Sequence, residues 1–346
     1  MNFEPRFAIT HSISNSLSKI DRAQGFLEGA RLSEEWIQER RDRALVLEAH
    51  HTTHIEGSQL TLDQSEKLLS GKHVENADPD DIQEVLNYQR AFEFVSQPTI
   101  YSEPMTEETI LKIHELLVEG VRGGEASPGR FREKQNWIVD MSTMKAVYTP
   151  SPPNEVPGLM DEMIEWLNDK HDFHPVLLAG IAQFQFVHIH PFLDGNGRAA
   201  RLLSTLSLYR AGYDFKQLFS ISEYYDRDRP AYYEAIQSVR ENKMDMTGWL
   251  EYFCHGLAIQ TQEVQESGIQ YERIAKISEK YSLSNRQMSI MKIIIENREV
   301  GIKDLDEIFQ DINRRTLQRE LKKMVEIGLL KISGHTNQLH YHIEEI

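Results

Sequence analysis

The chain has 346 residues, 40% of them hydrophobic and 27% charged, with a formal net charge of -16 at pH 7. That length leaves room for two or three domains and a sizeable core. The acidic balance excludes whole-chain attraction to nucleic acid or an anionic membrane and leaves only a local basic surface for such a role. The single cysteine, Cys254, excludes an internal disulfide, and its setting in WLEYFCHGLAI reads as a buried structural thiol rather than a nucleophile. No uninterrupted apolar run approaches the roughly 18 residues of a spanning helix, and MNFEPRFAIT lacks the basic-then-apolar pattern of a signal peptide, so the expected location is cytoplasmic.

Apolar residues recur at three- and four-residue steps over most of the chain, which predicts a mainly α protein. The first clear window is WIQERRDRALVLEAHHTTHI from Trp36. The second, ADPDDIQEVLNYQRAFEFV, places acidic residues ahead of its periodic part, as a helix start prefers. In TEETILKIHELLVEG, Thr106 suits an N-cap, Glu107 and Glu108 the first turn, and Gly120 the stop. Between about Gly123 and Pro157 the texture turns to Gly, Pro and Ser, with WIV and AVY flanking a short polar interval, and this predicts a β-hairpin inside the helical domain. Helical patterning resumes at GLMDEMIEWLND and HPVLLAGIAQFQFVHI, passes a turn at DGNGR and continues as LLSTLSLYRAGY. A helical connector, GLAIQTQEVQESGIQYERIAKISEKY, leads to a stretch that reads helix, short helix, helix and two alternating strands around SGHTNQ, the layout of a winged helix-turn-helix. The expected domains are an N-terminal helical region (1–85), a core (86–255), the connector (256–284) and the winged helix (285–346).

The twelve residues HPFLDGNGRAAR, His190 to Arg201, concentrate the chemistry. Gly195, Asn196 and Gly197 ahead of a helix let backbone N–H groups converge on one spot, an anion site. Arg198 can hold phosphate oxygens through its planar fork, and Arg201 lies one turn on, along the same face. Asp194 beside the cradle suits Mg²⁺, which proteins hold with one or two carboxylates plus substrate phosphates. His190 is placed to take a proton from an incoming hydroxyl. Each feature alone is commonly structural, but together, at consistent offsets, they are the recurring parts for displacement at phosphorus. Phe192 reads as a core anchor.

HPFLDGNGRAAR resembles the signature of the Fic family, and PGRFREKQNWI, AVYTPSPPNEVPGLM and EYYDRDRPAYYEAI resemble the segments that bracket it. The resemblance covers roughly residues 40 to 255. It implies a Fic-type helical core with a β-hairpin flap, with the winged helix as a frequent companion, and a protein adenylyltransferase that moves AMP from ATP to a Tyr, Thr or Ser hydroxyl of a protein. His190 would be the base, Asp194 the Mg²⁺ ligand, Gly195, Asn196, Gly197 and Arg198 the phosphate contacts, and the hairpin near residues 136 to 148 a flap that pairs with the target by strand addition. Tyr224, Tyr225, Tyr232 and Tyr233 are candidates for the adenine pocket, against an equally good reading as aromatic core. TTHIEG matches the family's inhibitory motif, which implies that Glu56, with Thr52 and Gly57, blocks the γ-phosphate position by pairing with Arg201.

Other readings stay open: removal of AMP, transfer of a different group such as UMP or phosphate, or a DNA-binding regulator with the core as nucleotide sensor. Residues 285–346 hold ten Lys/Arg and ten Asp/Glu, weak electrostatic footing for DNA, and winged helices also dock proteins. A homodimer and self-modification are further expectations. His50, His51 and His54 include one i, i+4 pair suited to a metal, but the sequence places no acidic or cysteine partner, so Mg²⁺ is the one metal expected.

Overall fold

Helical periodicity becomes helix at each predicted window. The computed structural model describes residues 3–121, 126–140, 145–297, 299–334 and 339–343. It separates two units, Met1–Glu28 with Ser33–Val264, and Gly29–Leu32 with Gln265–Ile346. The first unit opens with α1 (His11–Gly29), which lies outside the predicted windows, and α2 (Glu34–Ile55), capped by the Ser33 side chain. Then come α3 (Leu62–Leu69), α4 (Pro79–Val95), α5 (Pro98–Tyr101) and α6 (Glu107–Val118). Asp78 caps α4 by accepting from the Asp80 N–H at 2.8 Å, and Thr106 caps α6 by accepting from the Thr109 N–H at 3.2 Å. Gly120 takes φ +73 just past α6, the left-handed turn that a side chain would resist.

The predicted hairpin is β1 (Ile138–Asp140) against β2 (Lys145–Tyr148), antiparallel, with Ile138 opposite Tyr148 and a register shift before Val139. Its connection, 141–144, lies outside the described residues. Next are α7 (Val156–Asn168), α8 (Pro175–Ile189), α9 (Asn196–Arg210), α10 (Ile221–Arg227), α11 (Arg229–Glu241) and α12 (Thr247–Tyr281). The connector expected at 256–284 is thus the continuation of α12 rather than a separate element.

The core gathers around α8, which is apolar on every side and carries the fully buried Phe184 and Phe186. Each such ring contributes about 1.5–3 kcal/mol by leaving water. Gly180 lets α12 approach: a Cβ there would lie 2.9 Å from Leu250 Cδ2 and Phe253 Cδ1, while Trp249 Nε1 donates to the Gly180 carbonyl at 2.8 Å. Cys254 is buried, its thiol pushed up to about 12 by desolvation, as a structural thiol should be. α9 is buried along nearly its whole length, Arg198 and Arg201 included. The C-terminal end of α8 and the N-terminal end of α9 therefore meet against this buried core, with His190 and Asp194 partly exposed between them.

The second unit contains the end of α12, α13 (Asn285–Asn297), β3 (Glu299–Gly301), α14 (Ile302–Ile308), α15 (Arg314–Glu326), β4 (Leu330–Ser333) and β5 (His340–Ile343). The strands form one antiparallel sheet in the order β3-β5-β4. β3 is an addition to the predicted pattern, too short at three residues to show alternation. Ile290, Ile294, Leu305, Leu317, Leu321 and Met324 fill its core. Among the described residues, no helix is long and apolar enough to cross a membrane.

Candidate active site

The loop between α8 and α9 is held by its own side chains. His190 ends α8 in the left-handed region, φ 53 and ψ 58, its N–H still donating to the Phe186 carbonyl at 2.9 Å. Its carbonyl accepts from Arg132 Nε at 2.8 Å, and the Arg132 backbone N–H donates to Pro191 O at 2.9 Å. Phe192, fully buried, stacks face to face on His114 at 3.6 Å. Asn196 reaches back over the turn, accepting from Phe192 N–H and donating to Phe192 O, both at 2.9 Å, and Asn136 Nδ2 donates a second bond to that carbonyl at 3.0 Å. The Asn196 amide side chain is therefore spent on the loop, and the backbone N–H is what it offers an anion.

Gly195 takes φ +78, and a Cβ there would fall 2.8 Å from Val118 Cγ1, so both conformation and space demand glycine. His114 Nε2 donates to the Asp194 carbonyl at 3.1 Å, and His114 Nδ1 accepts from Gly129 N–H at 3.1 Å. This fixes a neutral tautomer, and burial lowers its pKa to about 4. The Asp194 carboxylate accepts from Gly195 N–H at 2.7 Å and lies 3.6 Å from Arg198 Nη2. Arg198 is also 3.3 Å from the buried Glu84 of α4, so its charge is matched from two sides.

Arg201 is 1% exposed. Its Nε donates to Thr52 Oγ1 at 2.7 Å, and its Nη2 donates to Thr52 O at 3.0 Å and to Glu56 Oε1 at 2.6 Å. Burial works against its charge, but Glu56, with help from Tyr232, raises its pKa far above the ordinary value. The Glu56 carboxylate also lies against the first turn of α9, where a Cβ on Gly197 would be 2.1 Å from Oε1. A carboxylate thus sits where the helix N-terminus favours negative charge. Gly57, φ +111, turns the chain away behind it. Glu56 is both the C-cap of α2 and the partner of Arg201 beside the first turn of α9.

His190 carries little charge at neutral pH. Desolvation lowers its pKa to about 4, with Arg132 and Arg240 adding to that and the Val187 carbonyl and Glu56 opposing it. Nδ1 is 3.3 Å from Val187 O, which assigns the proton to Nδ1 and the lone pair to Nε2.

Of the tyrosines, Tyr232 reaches this cluster, its hydroxyl 3.5 Å from Arg201 Nη1. Tyr225 is fully buried, stacked on Tyr232 at 4.4 Å and bonded to Gln183 at 3.3 Å. Tyr224 packs on Gly256 and Tyr252. For these two, the observed contacts are those of an aromatic core. Tyr233 is exposed, 5.3 Å from Tyr232.

Several residues of the site carry no sequence signal. Glu48, buried in α2, accepts from Tyr88 at 3.1 Å, Ser220 Oγ at 2.7 Å and the Ser222 N–H at 3.0 Å, and also from the Ser222 hydroxyl. One turn on, His51 and His54 each place Nδ1 2.7 Å from Asp226 Oδ2. Burial would raise the Asp226 carboxyl, but these histidines and Arg229 hold it at about 2. Two anchors therefore fasten α2 to α10 just ahead of Glu56. Asp226 is the acidic partner that the sequence did not place beside the histidines. Among the described residues no cluster of three or more such groups is arranged for a metal.

Residues 104–208 match the family model described as Fic/DOC family, and residues 41–97 match the Fic/DOC family N-terminal model. Protein adenylyltransferase Fic of Drosophila ananassae is 30% identical over 203 residues, 57% of this chain and 38% of that protein; its Drosophila melanogaster counterpart is 30% identical, with 39% of that protein covered. The chain thus spans about two-fifths of the length of these relatives. In fold, it is similar to a Fic family protein from Desulfovibrio desulfuricans (TM-score 0.66, 23% identity, 99% of this chain and 98% of that one). It is also similar to a Fic-1 fragment from C. elegans (TM-score 0.61, 22% identity, 76% and 73%). Two segments of the chain, 104–208 and 41–97, thus match the Fic domain of the Fic/DOC family and the N-terminal segment that accompanies it.

Proposed function

We propose that the protein is a protein adenylyltransferase, transferring AMP from ATP to a Tyr, Thr or Ser hydroxyl of a target protein, and that Glu56 holds it back. The observation that carries this reading is the Glu56 carboxylate on the first turn of α9, bonded to Arg201 at 2.6 Å. A carboxylate held there supports an anion site in the same short loop as a neutral histidine. The relatives named protein adenylyltransferase support the group transferred.

In this mechanism His190 Nε2 accepts the proton of the target hydroxyl. The oxygen attacks the α-phosphorus of ATP, the bond to the β-phosphate breaks, and pyrophosphate leaves. Main-chain N–H groups of Gly195 to Gly197 and the α9 N-terminus bind phosphate oxygens, and Arg201 holds the γ-phosphate once Glu56 withdraws. Arg198, fixed by Glu84 and Asp194, adds positive charge beside them. Asp194 is a single carboxylate at the cradle, which fits Mg²⁺ shared with nucleotide phosphates. Bound there, the ion would neutralise phosphate charge. The β1–β2 hairpin presents Trp137 and Val147 outward, and its main chain suits pairing with an extended target segment.

We read the second unit as a winged helix that docks protein. Four basic side chains of α15 have acidic neighbours: Arg314 with Asp306, Arg319 and Lys323 with Glu320, and Lys322 with Glu326. That pairing leaves little charge for phosphate, while Ile308, Ile327 and Ile332 are exposed.

The test is incubation of wild type, Glu56→Gly and His190→Ala with Mg²⁺ and ATP labelled at the α-phosphate in cell extract. Strong label on protein with the glutamate variant, weak label with wild type and none without the histidine is the expected result. No label from any form overturns the reading.

A further inference from the structure

A cavity of about 490 Å³ lies between the N-terminal segment and the end of α7. Phe3, Pro5 and Phe7 are half-buried while Glu4, Arg6 and Ala8 are exposed, Glu4 at the rim of the space. The segment is pinned beyond its rings: Met246 N–H donates to Arg6 O at 2.7 Å, Ala8 N–H to Thr247 Oγ1 at 2.9 Å, and Thr10 Oγ1 to Glu251 at 2.6 Å. Five rings line the space: Phe3, Phe7, Trp166, His171 and Phe173. Phe3 meets Trp166 edge-on at 5.2 Å, Phe7 meets Phe173 edge-on at 5.5 Å, and His171 packs on Trp166 at 4.4 Å. His171 Nε2 donates to Trp166 O at 2.7 Å, which fixes that ring.

Four carboxylates, Glu4, Glu162, Glu165 and Asp169, share the lining, and no Lys or Arg does. None of the residues assigned to AMP transfer is among them. Ring faces carry negative quadrupoles and attract weakly hydrated cations. Glu4, Glu165 and Asp169 are exposed and Glu162 is half-buried, so a neutral apolar occupant would gain nothing from their charge, and a small metal ion would gain nothing from the rings. The volume lies in the range of small-ligand sites.

We propose that this cavity binds a quaternary or alkylated ammonium, its head against the rings and its charge matched by the carboxylates. Two sources carry that chemistry: a free small molecule, and a methylated lysine on a protein. The test is isothermal titration of the full chain with choline, with its neutral isostere 3,3-dimethylbutan-1-ol, and with a short peptide carrying trimethyllysine or unmodified lysine.

A cation bound at least tenfold more tightly than its neutral counterpart is expected. Binding of choline alone identifies a free ligand, and binding of the trimethyllysine peptide alone identifies a protein tail. The double variant Glu4→Gln with Glu165→Gln, both at exposed positions, should weaken cation binding several-fold at unchanged far-UV circular dichroism. Phe3→Leu, which keeps apolar bulk and removes a ring, should do the same. Equal binding of choline and the isostere, indifference to both variants, or no binding of either cation overturns the proposal.

Discussion

Glu56→Gly should make the protein less stable and more active at once. Arg201 is 1% exposed and keeps only Thr52 Oγ1, Thr52 O and the distant Tyr232 hydroxyl once the carboxylate is gone. Breaking a fully buried pair costs about 3–5 kcal/mol. The Glu56 side chain is 27% exposed, so water replaces part of what is lost and about 2 kcal/mol is the fair figure. For a unit of this size each kcal/mol is worth about 2–4 °C, giving a fall in Tm of about 4–8 °C. ATP should then restore stability, because its phosphates supply the anion that Arg201 has lost; at about 100 times Kd the gain is about 2.7 kcal/mol. Wild type, whose arginine is already paired, should gain less. Thermal melts with and without ATP, run beside the α-phosphate labelling, measure both effects. A variant that melts with wild type, or that gains no more from ATP than wild type does, would refute the reasoning, and a merely damaged fold would lose activity together with stability.

In the Glu56→Gly background, kcat/KM should stay flat from pH 8 to well below 6 and fall only towards 4, because burial holds His190 at about 4. A half-maximal point near 6.5 would contradict this. Stability should fall in the same direction for a related reason. His114 is buried and neutral with a folded pKa of about 4, below its unfolded 6.5, so the unfolded chain takes up a proton first as pH drops, and on the order of 3 kcal/mol is lost between 6.5 and 4. Denaturant titrations at pH 7 and 4.5 measure it. Gly197→Ala should lower Tm and leave labelling no higher than wild type, since its Cβ meets Glu56 Oε1 at 2.1 Å and fills the cradle as well. Asp226→Asn, which weakens the anchor of His51 and His54, should raise labelling above wild type but below Glu56→Gly; unchanged labelling would show that the anchor has no part in restraint.

Helices and loop chemistry were legible because their signals are local. Thr106 and Gly120 bracket α6 through bonds and backbone angles set within a few residues, and Gly195 and Gly197 sit in the same short segment as His190. What escaped depends on partners distant in sequence. The buried Glu48 and Glu84 look like ordinary helix-surface acids until Ser220, Ser222 and Arg198 are folded onto them. Asp226 lies 172 residues from His54. Asn196 shows the opposite limit: its place in the motif is plain in sequence, yet its amide serves the turn rather than a ligand. The tyrosines divide for a similar reason, since spacing could not tell Tyr232, beside Arg201, from Tyr225, sealed in the core.

Under the proposed function, Arg201 explains why a glutamate would make a good brake here. A guanidinium at 1% exposure always needs an anion near it. Thr52 contributes two neutral acceptors that hold its orientation but leave its charge unmatched. The first turn of α9 demands negative charge at the same place, because its N–H groups have no intrahelical partners. One carboxylate satisfies both needs, and a γ-phosphate with more oxygens and more charge satisfies them better. Under the proposed function, Glu56 acts as a stand-in whose loss is compensated only by the nucleotide it keeps out. Restraint then depends on how firmly α2 holds Glu56 in place, and Glu48 and Asp226, which fasten that helix to α10, set that firmness without touching substrate.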